Sequence, residues 1–169
     1  RNGAIDCVIH HKENIGKISP DEQIFILELD IEKFFDNVNR DLLSNYIEEL
    51  SEIDERSKLN NILSKFKNWD WASGSLNKFE KLFNADIPYG IPQGLVAAGF
   101  LSNIYLINFD KIMLEKINKK FEETGVQLID YCRYVDDIRI VVKADKELNK
   151  LNVLSDIEKY LNDHLDGIH

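Results

Sequence analysis

Cysteine is scarce in this sequence: Cys7 and Cys132 are the two among 169 residues. Two unpatterned cysteines support neither a disulfide framework nor a thiolate zinc site, and they suit a reducing, cytoplasmic compartment. Long apolar runs are missing as well. None approaches the roughly 18–20 residues that cross a bilayer, and no basic segment followed by an apolar stretch opens the chain as a secretory signal would. Internal repeats, low-complexity tracts and Gly/Ser/Pro linkers are also lacking, which predicts one domain. Basic charge is the last shortage. Lys and Arg total 21 against 30 Asp and Glu, for a formal charge of −9. That acid excess argues against autonomous binding to a polyanion, because non-specific nucleic-acid affinity comes mainly from Lys and Arg. With 44% hydrophobic and 30% charged residues, the chain is neither disordered nor fibrous, and its length fits one domain with a real core. It opens at Arg1 without Met and stops at His169 just after an apparent helix, which predicts a piece of a longer protein.

Residues 24–30 alternate as a strand does, with Phe25, Leu27 and Leu29 on one face and Ile24, Ile26, Glu28 and Asp30 on the other. Asn39 is placed as an N-cap ahead of a helical stripe of Leu42, Leu43, Tyr46, Ile47 and Leu50. A second helix is expected over about 54–66, and residues 68–92, with both Trp residues and two prolines, read mostly as loop. From Leu101 to Phe121 apolar residues recur every three or four positions, which predicts one long helix stopped by Gly125. Residues 126–134 and 138–143 are rich in Val, Ile and Tyr, and a short polar link at Asp136-Asp137 makes them a hairpin. A closing helix is expected over about 145–165. The order predicts an α+β fold, an antiparallel sheet with helices packed on one face.

The informative feature is a set of carboxylates at strand ends. Asp30 closes the first strand on the face of Glu28, and Asp136-Asp137 occupy the hairpin turn. If the first strand lies beside the hairpin, two or three carboxylates converge at one edge of the sheet. Two like charges about 4 Å apart repel by about 4 kcal/mol at an effective dielectric of about 20. Either one carboxyl takes up a proton or a cation sits between them. All-oxygen ligands without His or Cys point to a hard ion such as Mg²⁺. Paired metals about 3.5–4 Å apart are the usual device for in-line phosphoryl transfer. Taken singly, each acid has a plainer reading, since Asp favours turns and often ends a strand.

Three segments together resemble one family. Residues 29–38, Leu-Asp-Ile-Glu-Lys-Phe-Phe-Asp-Asn-Val, look like motif A of reverse transcriptases, Gly90-Ile91-Pro92-Gln93-Gly94 like motif B, and Tyr134-Val135-Asp136-Asp137 like motif C. They occur in the family's order, and the likeness covers about residues 24–143. It is to bacterial enzymes of the group II intron, retron and defence (abortive-infection) types. The resemblance implies the palm of an RNA-directed DNA polymerase, a nucleotidyltransferase whose catalytic β-hairpin works with two Mg²⁺ ions, replaceable by Mn²⁺. It implies Asp30 and Asp136 as metal-binding and catalytic groups, with Asp137 beside them and the Ile31 carbonyl as a backbone ligand. One metal would lower the pKa of the primer 3′-hydroxyl, and the other would hold the triphosphate and the departing pyrophosphate.

The same resemblance implies a nucleotide-binding set. Phe35 matches the steric gate that selects dNTP over rNTP, and Gln93 the residue that contacts the incoming nucleotide. Pro92 and Gly94 would shape the turn into the next helix, with Gly94 allowing close backbone approach. Tyr134 would pack beneath the primer end, and Phe34 reads as core. The implied partners are an RNA template, a DNA or RNA primer, dNTPs, and the fingers and thumb of the same polypeptide, with no membrane. Only Arg1, Lys12 and Lys17 supply basic charge ahead of Asp30, and no fingers motif or thumb is recognisable. Residues 1–169 therefore read as a palm with partial fingers from a larger polymerase, expected to extend primers poorly or not at all alone.

Ala97, Ala98 and Gly99 form a small-residue face, and Ala98-Gly99 stand where group II enzymes have Ser-Pro. That departure leans toward defence-associated enzymes and away from intron maturases. Two other readings fit the motifs: a non-catalytic palm serving as an RNA-binding or assembly module, and an untemplated or protein-primed DNA polymerase of phage defence. His10-His11 beside Lys12 lacks ligand spacing and reads as solvated surface. Trp69-Asp70-Trp71 reads as a loop anchored to the core. Lys111, Lys116, Lys119 and Lys120 interleave with Glu115, Glu122 and Glu123 and read as a solvated helix face.

Overall fold

The computed structural model describes residues 10–16, 18–50, 75, 78, 90–94, 96–121 and 124–165. The helix expected over 54–66 and the Trp69-Asp70-Trp71 segment lie outside them. Within the span expected to be mostly loop, Ser75 and Lys78 are helical. The elements in chain order are β1 (Glu22–Asp30), α1 (Phe34–Asn37), α2 (Arg40–Leu50), α3 (Ala98–Tyr105), α4 (Ile107–Lys116), β2 (Gln127–Tyr134), β3 (Asp137–Asp145) and α5 (Lys150–Leu165). They fall into two compact units, one of residues up to Glu32 together with Leu106 onward, the other of Lys33–Tyr105.

The first unit is built on a three-stranded antiparallel sheet in the order β1-β3-β2. Strand alternation sorts its faces. Leu27, Ile138 and Ile140 are buried on one face, while Ile26 on the other is 59% exposed. The ladder β1–β3 runs unbroken from Glu22 opposite Asp145 to Asp30 opposite Asp137. The ladder β2–β3 slips between Leu128 and Asp130, a bulge at Ile129 that resets which β2 side chains face the core. Beyond it Tyr131 faces α4, where its ring meets Phe109 edge-on at 6.2 Å. Helix α5 buries Val153, Ile157, Leu161 and Leu165, a stripe at helical spacing.

The single long helix expected from Leu101 to Phe121 is two helices. At Leu106 the backbone leaves helical geometry (φ −92°, ψ 7°), although its carbonyl still accepts from Asp110 N–H at 2.8 Å. Helix α4 then stops at Lys116, well before Gly125, because Ile117 turns to an extended ψ of 135° and Asn118 follows in a left-handed conformation. Asn118 N–H turns to the Leu128 carbonyl at 2.7 Å, and Lys120 bridges Gln127 beside the sheet. Phe121 keeps the apolar period without being helical. It packs on Tyr160 at 4.9 Å, and the Lys116 ammonium lies 5.3 Å from its ring centre. Lys119 and Lys120 are therefore not on a helix face, as the charge pattern had suggested. The closing helix starts at Lys150 rather than near Asp145, which remains in β3. Asn149 caps it, its side-chain oxygen accepting Leu151 N–H at 2.9 Å.

In the second unit Asn39 caps α2 as expected, with its side-chain oxygen accepting the N–H groups of Asp41 and Leu42 at 3.0 and 3.1 Å. Leu43 and Ile47 of the anticipated stripe are buried, whereas Leu50 is 54% exposed. Phe34 is core, as read from the sequence, with its ring 6.1 Å from that of Tyr105. The Tyr105 hydroxyl accepts Asn39 N–H at 3.1 Å, and burial raises its pKa.

Candidate active site

Asp30 is the last residue of β1 and Asp137 the first of β3, and the ladder sets them directly opposite. Directly opposed residues in an antiparallel pair have Cα atoms about 4.5–5.5 Å apart and side chains on one face. Asp137 also pairs with Tyr134 across the hairpin. The two-residue connection is therefore Val135-Asp136, one position earlier than the Asp136-Asp137 link read from the sequence. Asp30 and Asp137 are exposed and Asp136 is half-buried, so all three retain access to water and to an incoming ion. Next along the same face Glu28 faces Arg139, whose Nε lies 3.2 Å from Glu28 Oε1. That pairing neutralises the neighbouring rung and leaves the acidic excess at the sheet end.

The turn is held from several sides. Ile31 N–H donates to the Asp136 carbonyl at 3.3 Å, extending the β1 contact past the strand end. Val135 has φ +59°, a conformation that a β-branched residue adopts only under strain of about 1–3 kcal/mol. Arg133 offsets part of that cost, because its Nη1 donates to the Val135 carbonyl at 2.6 Å. The same guanidinium grips Asp110 of α4 with two bonds, Nε to Oδ1 at 2.8 Å and Nη2 to Oδ2 at 2.6 Å. Tyr131 completes the group, its hydroxyl donating to Asp110 Oδ1 at 2.6 Å. Burial and the Asp110 carboxylate push the Tyr131 pKa far up. Burial works against the Arg133 charge, but Asp110 outweighs it and holds the guanidinium pKa above its ordinary value.

Sequence reasoning missed this Asp110–Tyr131–Arg133 brace. Its one signal was an acid set among the apolar residues of α4, and the partners lie 21 and 23 positions away. Tyr134, in contrast, is 71% exposed beside the acidic pair. It is not a buried strand tyrosine, so its ring is available to a ligand.

The second unit carries Phe35, Pro92, Gln93 and Gly94. Phe35 is half-buried and its ring meets Phe34 edge-on at 5.4 Å. Its backbone is tied to the Gly90–Gly94 turn: Ile91 N–H donates to the Phe35 carbonyl at 2.8 Å and Gly90 N–H to the Asp36 carbonyl at 3.1 Å. A Cβ on Gly90 would collide with that Phe35 oxygen. Gly90 thus provides a close backbone approach within the turn itself. At Gly94 the space is open and φ is +91°, so glycine serves the turn's conformation there. Pro92 is half-buried, while Gln93 and Gly94 are exposed. Ala98 is buried, Ala97 exposed and Gly99 half-buried, so the three small residues do not form one uniform face.

His11, expected on a solvated surface, is buried against Asp130 of β2. The partner is 119 residues away, which is why local spacing does not reveal it.

The family model for reverse transcriptase (RNA-dependent DNA polymerase) matches residues 9–167. The chain belongs to the reverse transcriptase family, and its α+β fold is that of the family's palm. No curated protein and no solved structure gives a significant match. Among the described residues no helix is long and apolar enough to cross a membrane.

Proposed function

We propose that this chain is the catalytic palm of a bacterial, cytoplasmic reverse transcriptase, adding dNTPs to a DNA or RNA primer 3′-hydroxyl on an RNA template. The observation that carries the reading is the register that opposes Asp30 to Asp137 with the Val135-Asp136 turn beside them. Three carboxylates without a neutralising base on their own rung form an all-oxygen donor set that fits Mg²⁺ or Mn²⁺. Asp30, Asp136 and Asp137 would hold the ions, with the Ile31 carbonyl as a backbone ligand. Two bound ions would activate the primer hydroxyl and neutralise the triphosphate.

The chain's own residues then have distinct tasks. Asp30 and Asp137 keep two carboxylates on one face of a rigid sheet, so their positions need no reorganisation during the reaction. Arg133 and Ile31 N–H fix the turn that carries Asp136. Tyr134 offers an exposed ring for the primer end. Phe35 is assigned the gate against the ribose 2′-hydroxyl, with Gln93 contacting the nucleotide and Pro92 and Gly94 shaping its turn. The −9 charge supports a palm that relies on fingers and thumb of a larger polymerase for its grip on nucleic acid. Ala98-Gly99 in place of Ser-Pro favours the defence-associated type over an intron maturase.

RNA-templated primer extension by the full-length protein tests the reading. Incorporation of dNTPs should require Mg²⁺ or Mn²⁺ and disappear in Asp136→Asn while the fold is unchanged. Undiminished extension by that variant would contradict it. Binding of RNA without extension in the wild type would instead support a non-catalytic module.

A further inference from the structure

We propose that His10, His11 and Asp130 form a zinc site that fastens the helical residues 10–14 to the middle of β2. Both imidazoles converge on one carboxylate oxygen: His10 Nδ1 lies 2.9 Å from Asp130 Oδ2, and His11 Nδ1 is in close contact with the same atom. One ligand atom from each residue falls within 4.8 Å of the others. A tetrahedral ion with bonds of about 2.0–2.2 Å sets its donors about 3.3–3.6 Å apart, so an ion entering the cluster moves both imidazoles slightly outward from their direct contact with Asp130. Two imidazole nitrogens and a carboxylate suit zinc better than Mg²⁺, which prefers oxygen alone.

Burial and hydrogen bonding support the assignment. The Asp130 side chain is 0% exposed and that of His11 5%, so the carboxylate is removed from water and needs an opposing charge beside it. Asp130 Oδ1 accepts Tyr131 N–H at 2.9 Å, which orients the carboxylate and turns Oδ2 toward the imidazoles. The Asn14 amide lies 3.2 Å from His10 Nε2. His10 is 57% exposed, which leaves the fourth coordination position to water. The site is separate from the acidic pair. Asp130 and Tyr134 share a face of β2 but stand four residues apart, about 13 Å along the strand.

The test is a Zn²⁺ titration of the chelator-stripped protein against a metallochromic competitor, in excess Mg²⁺, for the wild type, His10→Ala and Asp30→Asn. The wild type should bind one zinc per chain and gain thermal stability on binding. His10→Ala removes a mostly exposed ring, so it should keep the wild-type circular dichroism while binding zinc at least about tenfold more weakly. Asp30→Asn should bind zinc as the wild type does. Cobalt gives a second readout: its visible d–d bands should appear in the wild type and fade in His10→Ala. A wild type that takes up no zinc overturns the proposal. So does His10→Ala binding as tightly as the wild type, or loss of zinc binding in Asp30→Asn, which would assign the metal to the acidic pair.

Discussion

Asp30 and Asp137 stand directly opposite each other at one end of the β1–β3 ladder, as Glu22 and Asp145 do at the other end, where Lys143 pairs with Glu22. Like charges in this position cost about 0.2–1 kcal/mol, moderated here because both side chains are exposed. Glu28 is paired with Arg139 on the next rung of that face, whereas Asp30 and Asp137 face each other, which supports the proposed divalent-ion site.

Arg133 links that end of the sheet to α4, and its loss should be felt in both stability and activity. Its side chain is 4% exposed and makes two bonds to Asp110 and one to the Val135 carbonyl. Arg133→Ala should destabilise the protein by about 3 kcal/mol in urea denaturation, since the turn carbonyl loses the Arg133 donor and Asp110 loses its countercharge, keeping the Tyr131 hydroxyl. Arg133→Lys keeps the charge but not the fork. It should recover part of the stability while primer extension by the full-length protein stays depressed.

Among the described glycines, Gly90 is where an added methyl should do most damage. Its added Cβ would collide with the Phe35 carbonyl, so Gly90→Ala should cost about 3 kcal/mol in thermal or urea melting. Gly94→Ala meets open space and only the strain of φ +91°. It should cost about 1 kcal/mol. Equal losses at the two positions would remove the distinction drawn between them.

Phe35 is the residue assigned to sugar selection. Phe35→Ala should raise rNTP incorporation relative to dNTP by about tenfold or more in competitive extension assays. An unaltered ratio would return Phe35 to a packing role beside Phe34.

Alkaline pH should weaken the fold through Tyr131. Its ordinary pKa is 10.0, and burial followed by the Asp110 charge holds the folded value higher. Above about pH 10 the unfolded chain releases a proton that the folded protein keeps. The folded state then binds more protons, so stability is full below pH 10 and falls as pH rises, by about 1.4 kcal/mol per pH unit for this group. Urea melts between about pH 9 and 11, around the ordinary tyrosine value, should show the decline, and Tyr131→Phe should flatten it.

Local chemistry makes much of this protein legible from its residues alone. Alternation in 24–30, the Asn39 cap and the Val- and Ile-rich hairpin strands are decided by neighbours in sequence, and the structure follows them. The three acids are legible for the same reason, since each sits at a strand end or turn. What the sequence conceals is set by distant partners. Apolar period continues from Leu101 to Phe121 because Leu101, Tyr105, Phe109, Met113 and Phe121 are all buried, yet the backbone breaks at Leu106 and leaves the helix at Ile117, after which Asn118 meets Leu128. The Asp110–Arg133 brace and the His11–Asp130 contact likewise join residues 23 and 119 positions apart.

The central claim, that Asp30 and the hairpin carboxylates hold a divalent ion together, is tested most directly by Mn²⁺ titration followed by electron paramagnetic resonance. His10→Ala protein serves as the background, so that the histidine cluster does not compete. Combining it with Asp30→Asn or with Asp136→Asn should in each case weaken Mn²⁺ binding at least about tenfold. Mn²⁺ affinity unchanged by either substitution would contradict the claim.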